Sequence, residues 1–274
     1  CGVAILSGQG NGVFSDPEYY GSSGGCPTAV DLEDLDLDGN PDIVLANPEV
    51  DLVSVLMGNG DGTFQAAVNY AAGVGPYSVA IGDLDGDGDL DVLSASYNDS
   101  KIAWYENTDG AGSFGPQQVI STLVDYGMSV YAADLDGDRD TDVIVVRPSG
   151  SQIWINDRLW QHRPASGFDV FGSAPLVGAV VGDRDADGRP EIYTLDNTGS
   201  LQAWTPSQDG GWSPSSVSEI DGDDVTLALA DLDGDGSIEL LADGGAGIEI
   251  FAGEEAPVRI AKGDDATGPV LVLN

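Results

Sequence analysis

Asp34, Asp36, Asp38, Asn40 and Asp42 alternate along one nine-residue stretch, and the chain of 274 residues writes this stretch five times. The second and third copies hold Asp83, Asp85, Asp87, Asp89, Asp91 and then Asp134, Asp136, Asp138, Asp140, Asp142. The fourth holds Asp183, Asp185, Asp187, Arg189 and Glu191, and the fifth Asp231, Asp233, Asp235, Ser237 and Glu239. Carboxylates at positions 1, 3 and 5 of a tight loop, with another at position 9, converge on one point. Oxygen donors in this number suit Ca²⁺, which accepts six to eight of them in flexible geometry, better than Mg²⁺, which retains water. Position 7 varies among Asn40, Asp89, Asp140, Arg189 and Ser237, as expected where the ligand is a main-chain carbonyl. Position 2 is Leu35, Leu84, Leu135 or Leu232 in four loops, an apolar anchor turned into the fold. Metal-free Asp-Gly turns are the plainer alternative. Turn chemistry, however, requires no acid at position 9 in all five loops, and four unneutralised carboxylates would repel one another. One Ca²⁺ per loop, about five ions in all, is the expectation.

Something must hold these loops at regular intervals. The first aspartates follow one another by 49, 51, 49 and 48 residues, the mark of a repeat architecture. Before each loop runs a short apolar segment with small residues, such as 78–82 or 226–230, and after it a second, such as 42–46 or 142–146. Both read as strands, being short, β-branched and bounded by turn residues. A third run follows at 101–107, 152–156 and 201–205, and a weaker fourth at 64–70 and 114–120. Four strands in about 50 residues make the blade of a β-propeller. Glu33, Gly82, Ala133, Gly182 and Ala230 precede the first aspartates, small in four of five cases, as a crowded innermost strand requires. The fold class expected is all-β: one propeller domain over 1–274, with repeats near 28–75, 76–124, 125–174, 175–222 and 223–264. The run 3–8 followed by 12–14 resembles 53–58 followed by 62–64, and 268–274 resembles the first strand at 75–81. A sixth blade is therefore expected to close from residues 1–20 together with 265–274, though one strand and one acidic loop of it are missing.

On these residues the chain resembles the FG-GAP and VCBS calcium-loop propellers, the repeat type of integrin α-subunit heads. The resemblance implies calcium loops between the first and second strands of each blade, with ligands using the opposite face. It implies no single activity, since such propellers serve as adhesion modules, lectins, toxin components and parts of polysaccharide lyases. Arg139 departs from the glycine that the other loops have at position 6. If that position is left-handed, the third loop is strained and binds calcium most weakly.

Composition narrows the partners. Against 47 Asp and Glu stand 9 Lys and Arg, a net charge of −38, which repels nucleic acid and anionic lipid. Positions 1, 3, 5 and 9 of the five loops hold 20 of those acids, so much of the imbalance is site chemistry. With 39 Gly and 14 Pro the chain is turn-rich, which excludes an all-α fold. No apolar run is long enough to span a membrane. Cys1 and Cys26 allow one disulfide or two separate thiols, and lipidation of Cys1 is the less favoured reading because a strand follows it at once.

His162 is the only histidine, so a Ser-His-Asp triad or a multi-His zinc site would have to be built around it, and it reads as a surface residue. No phosphate-cradling Gly loop leads into a helix. Trp104, Trp154 and Trp204 recur at blade period and read mainly as fillers between blades. Tyr20, Tyr70 and Tyr126, with the turns at 97–100, 147–148 and 196–197, are expected on the face opposite the calcium loops. The sequon at Asn98 matters only in a glycosylating source. These features lead to an extracellular, calcium-stabilised propeller that recognises protein or glycan, since millimolar external calcium matches loops of modest affinity. A polysaccharide lyase on the same propeller, or a structural spacer in a larger surface protein, is the alternative. A lyase needs a base and a cationic neutraliser, hard to assemble from nine basic residues and one histidine.

Overall fold

A computed structural model describes residues 2–8, 14–21, 25–135, 138–147, 150–156, 162–164, 175–206, 212–220, 226–232, 237–244, 247–252 and 257–261. Every regular element in them is a β-strand. The first sheet has two strands, β1 (Gly2–Ile5) and β2 (Glu18–Gly21). Five four-stranded sheets follow, each a simple antiparallel meander in chain order. They comprise β3 (Ala29–Glu33), β4 (Asp42–Asn47), β5 (Leu52–Leu56) and β6 (Val68–Ala71), then β7 (Pro76–Gly82), β8 (Asp91–Ser96), β9 (Lys101–Tyr105) and β10 (Gln118–Ser121). Next come β11 (Ser129–Ala133), β12 (Asp142–Arg147), β13 (Gly150–Asn156) and β14 (His162–Pro164), then β15 (Leu176–Gly182), β16 (Glu191–Asp196), β17 (Ser200–Pro206) and β18 (Trp212–Glu219). The last sheet is β19 (Thr226–Ala230), β20 (Glu239–Gly244), β21 (Gly247–Phe251) and β22 (Val258–Ala261).

The chemistry of each strand follows its rank in the sheet. Second strands are covered on both faces, so β4 and β8 are buried at all six positions; β4 carries an unbroken apolar run at 43–46, while β8 buries Ser94 and Ser96 as well. Fourth strands such as β6 keep most of their residues in solvent. First strands of successive sheets lie against one another, β3 on β7, β7 on β11, β11 on β15 and β15 on β19. That approach demands small residues: a β-carbon on Gly82 would stand 2.9 Å from the methyl of Ala132, and one on Gly182 would stand 2.7 Å from Leu229. The core consists of apolar layers between neighbouring sheets. Trp104 and Trp154 share the layer between the second and third four-stranded sheets with Leu84, Leu93 and Val143, while Trp204 joins Ile144 and Ile192 in the next. All three indoles are buried, so they fill space between sheets and present no surface for a ligand. This is an all-β propeller of antiparallel sheets.

The two-stranded sheet repeats the second half of a blade. Gly8 bridges Phe14 just as Gly58 bridges Phe64, and β1 pairs with β2 as β5 does with β6. Ile43, Leu45 and Leu56 pack against its Val3, Ile5 and Tyr20. The strand expected from residues 265–274 lies outside the described residues. Fourth strands begin later than expected, at Val68 and Gln118, because Phe64 and Phe114 make only single bridges before the chain turns into the strand. Cys26 is buried and disulfide-bonded, and Cys1 lies outside the described residues. Among the described residues, no helix is long and apolar enough to cross a membrane.

Candidate metal centres

Each acidic loop joins the first strand of a four-stranded sheet to the second, so all occupy one end of the molecule. The acid at position 9 opens the second strand and is buried in every copy: Asp42, Asp91, Asp142, Glu191 and Glu239. Its position is enforced by hydrogen bonds. Asp42 accepts the N–H of Leu35 at 2.8 Å on one oxygen and that of Gly58 at 2.7 Å on the other. Asp91 does the same with Leu84 and Asn107, both at 2.9 Å, and Asp142 with Leu135 at 2.8 Å and Asn156 at 2.7 Å. Glu191 accepts from Arg184 and Glu239 from Leu232. In the first three loops one carboxylate thus clamps the start of its loop to the end of the third strand. Leu35, Leu84 and Leu135, whose N–H groups it holds, turn their side chains into the core, as an anchor should.

The loop then coils around its own acids. In the first copy Asp34 accepts from Asp38 at 3.1 Å and Gly39 at 2.8 Å, and Asp38 accepts from Asn40 at 2.8 Å. The second and fourth copies repeat this through Asp83 with Gly88, Asp87 with Asp89, Asp183 with Gly188, and Asp187 with Arg189. The coil needs left-handed backbone at position 6, where φ is +88° at Gly39, +96° at Gly88 and +89° at Gly188. Arg139 adopts the same conformation with φ +75°, an L-residue where its counterparts are glycine. Position 4 is left-handed too, at Leu37, Gly86 and Ala186. Glycines at that position in three of the five loops were the sequence signal for it.

Oxygens of Asp34, Asp36 and Asp42 lie within 4.8 Å of one another, as do those of Asp83, Asp85 and Asp91 and those of Asp183, Asp185, Asp187 and Glu191. Such all-carboxylate sets fit a hard divalent cation of calcium type. The electrostatics agree. Burial foremost, helped by repulsion from Asp87 and Asp83, pushes the Asp85 carboxyl up to about 6. Burial likewise pushes Asp91 to about 7, with Asp85 and Asp87 adding repulsion against the two backbone donors. Asp42 and Glu191 are raised for the same reasons. A bound cation would relieve all four.

Not every residue of the expected ligand set joins these groups. Asp38 and Asp87 are exposed and stand outside the 4.8 Å groups of their loops. At position 7 the side chains of Asn40 and Asp89 face the turn between third and fourth strands: a β-carbon on Gly60 would meet the Asn40 amide oxygen at 2.5 Å, and one on Gly110 the Asp89 carboxylate at 2.5 Å. The position-7 side chains of the first two loops thus lie against that turn and leave the main-chain carbonyl as the expected ligand. Arg189 and Ser237 are both among the described residues, and the Arg189 N–H donates to Asp187 at 2.9 Å. In the third loop Asp134, Asp138, Asp140 and Asp142 are described and Asp136 is not. In the fifth, Asp231 and Glu239 are described, whereas Asp233 and Asp235 lie outside.

Sequence reasoning missed the residues that join one loop to the next. The Asn107 amide donates to Leu35 O of the preceding loop at 2.9 Å and to Leu90 O at 3.2 Å, while its own N–H is held by Asp91. Asn156 repeats this with Leu84 O at 2.9 Å and Thr141 O at 3.3 Å. At the fourth loop the direction reverses: Arg184, standing where other loops have Leu, donates to Phe251 O at 3.0 Å. The recurrence of Asn at the end of two third strands was the available clue. His162 lies in β14 opposite Asn156. Tyr20 and Tyr70 are half-buried edge-on against Phe64 and Phe114, which leaves Tyr126 as the exposed member of the expected trio.

Antiparallel sheets stacked face to face, each with a carboxylate loop at the same end, define a β-propeller of the acidic-loop kind. The chain belongs to the FG-GAP-like repeat family, whose model matches residues 34–94, 83–145, 134–194 and 183–242, each stretch running from one acidic loop through the next. Among curated proteins, none matches the chain in sequence. In structure it is similar to an Agrocybe aegerita lectin that recognises non-reducing terminal N-acetylglucosamine, with a TM-score of 0.62 and 20% identity over 91% of this chain and 70% of that one. It is also similar to BBS1N, solved in complex with ARL6DN, with a TM-score of 0.57 and 13% identity over 85% of this chain and 68% of that. A protein from Lactobacillus plantarum matches with a TM-score of 0.55 and 15% identity, over 85% of this chain and 70% of that one.

Proposed function

We propose that the protein is an extracellular calcium-binding propeller that recognises a protein or glycan partner on the face opposite its acidic loops. The observation that carries the calcium part is the convergence of carboxylate oxygens within 4.8 Å in three loops, each backed by a buried position-9 acid. Ions at positions 1, 3 and 9 would neutralise the repulsion there and tie the ends of first and second strands together. Calcium then acts as a staple that adds stability by binding only the folded chain. Residues 265–274 complete a sixth blade with β1 and β2 in this reading, removing the free sheet edge. The lectin's recognition of N-acetylglucosamine and the complex of BBS1N with ARL6DN support recognition as the role. A glycan array and a partner capture, both run with calcium and with EDTA, test it. Retention of a ligand that calcium removal abolishes is the expected result. Release of unsaturated sugars from a polysaccharide would instead make it an enzyme.

A further inference from the structure

The end of the second four-stranded sheet farthest from its acidic loop is where Pro76 pairs with Ser96; Gly82 meets Asp91 at the loop end. Tyr77 and Tyr97 stand beside that far pair, with ring centroids 5.8 Å apart and planes tilted by 41°. Tyr126, from the segment between β10 and β11, adds a third ring 5.0 Å from Tyr97 at 52°. The row is open to solvent: Tyr77 is 40% and Tyr126 56% exposed, with Tyr97 half-buried between them.

This row is held in place. Tyr97 N–H donates to Gly75 O at 2.9 Å, Asn98 N–H to Val74 O at 3.1 Å, and Val124 N–H to Ser100 O at 3.2 Å. Tyr126 sits at φ +58°, rare for a bulky ring, whereas Ser100 at φ +58° shares a hairpin position with Asp51 at +58° and Gly199 at +88°. The left-handed position is part of the repeat, since Gly75 holds it at φ +66° eight residues before Asp83 as Tyr126 does before Asp134, so the third sheet places a ring where the second has glycine. Val74 at 49% and Leu123 at 81% exposure flank the rings. Charges near the row include Asp125, which accepts from the Ser100 hydroxyl at 3.4 Å, Asp99, paired with Lys101 at 3.1 Å, Asp51, which accepts the Gly75 N–H at 2.8 Å, and Arg147, which ends β12 next to Val146, the acceptor of the Met128 N–H.

Tyrosine ring faces attract cations, and a chain of net charge −38 draws cations to its surface and repels anions. We propose that Tyr77, Tyr97 and Tyr126 bind a lysine or arginine side chain from a basic segment of a protein partner, with Val74 and Leu123 covered by apolar parts of that segment. Exposed aromatic anchors with an apolar border are the composition of protein interface centres. This rests on the reading of the far face as the recognition surface and names its partner.

The test is ring-resolved NMR of the tyrosine-labelled, calcium-loaded full chain, titrated with tetramethylammonium chloride against sodium chloride at equal ionic strength. A peptide of alternating lysine and glycine is the second probe. The expected result is saturable shifts of the Tyr77, Tyr97 and Tyr126 rings alone among the nine tyrosines, at lower concentration for the peptide. Tyr97→Phe should retain binding, while Tyr97→Leu and Tyr126→Leu should each weaken it roughly fivefold, the loss of one ring's cation attraction. Absence of saturable shifts, or equal shifts at all tyrosines, overturns the proposal. N-acetylglucosamine, added in parallel, separates the two readings: shifts of these rings with sugar and not with cation overturn the cation site and leave the recognition surface standing.

Discussion

The acid at position 9 is pulled in two directions. Asp91 is the acceptor for two buried N–H groups, yet it stands close to Asp85 and Asp87 with no positive charge between them. Removing it as Asp91→Ala leaves both donors unsatisfied, at about 1 to 3 kcal/mol each, so its melting temperature should fall in calcium and in EDTA alike. Asp85→Asn takes away a repelling charge and keeps the shape. That variant should melt higher than the parent in EDTA and bind calcium more weakly, which calorimetry in the two buffers will show. The same electrostatics set a pH response. An acid whose folded-state pKa lies above its unfolded value holds its proton more tightly when folded, so ionisation destabilises the fold. With Asp91 near 7 and Asp85 near 6, that cost is present in full above pH 7 and is relieved progressively as pH falls toward the ordinary Asp value of 3.8. Melts of the EDTA-treated protein should therefore rise between pH 8 and pH 6. In calcium the trend should reverse, because protons compete with the metal. Arg139 offers a cleaner test of backbone: at φ +75° it carries a strain of about 1 to 2 kcal/mol, so Arg139→Gly should raise the melting temperature and tighten calcium binding at the third loop.

Between strands and sheets, the acidic loops are wired to one another. Asn156 spans the carbonyl of Leu84 in the second loop and the carboxylate of Asp142 in the third, and Asn107 spans the first and second in the same way. Calcium taken up at one loop should therefore stiffen its neighbour's anchor. Asn156→Ala should lower the melting temperature by removing one buried and one half-buried hydrogen bond, and it should reduce any cooperativity of calcium binding; an unchanged binding isotherm and melt would show the latch to be idle. Elements differed in how well they could be read in advance. Second strands stood out because burial on both faces writes an unbroken apolar run, as in 43–46. Fourth strands did not, since half-exposed residues such as Val68 and Asn69 carry little pattern and Phe64 gave a false start. The latches were illegible because their energy lies in contacts 72 residues apart in sequence.

For the whole molecule, the repeat spacing and the small residues at Gly82 and Gly182 already implied sheets stacked around an axis, and the structure places those glycines against the neighbouring sheet. The candidate site was legible in its acids and not in their division of labour. Spacing shows that Asp38 and Asp42 belong to one loop, but only the folded chain shows that Asp42 is buried as a clamp while Asp38 stands in solvent. The tyrosine row at the far face was legible only in Tyr126 and the turn at 97–100, because Tyr77 and Tyr97 become neighbours of Tyr126 through three different segments. The central claim is that calcium at these loops holds the propeller together. Its most direct test is one calorimetric titration of the EDTA-stripped chain with CaCl₂, paired with a melt at each end point. About one ion per acidic loop, with the site at the third loop weakest and a large rise in melting temperature on saturation, is the predicted result. No heat of binding and an unchanged melt would contradict it.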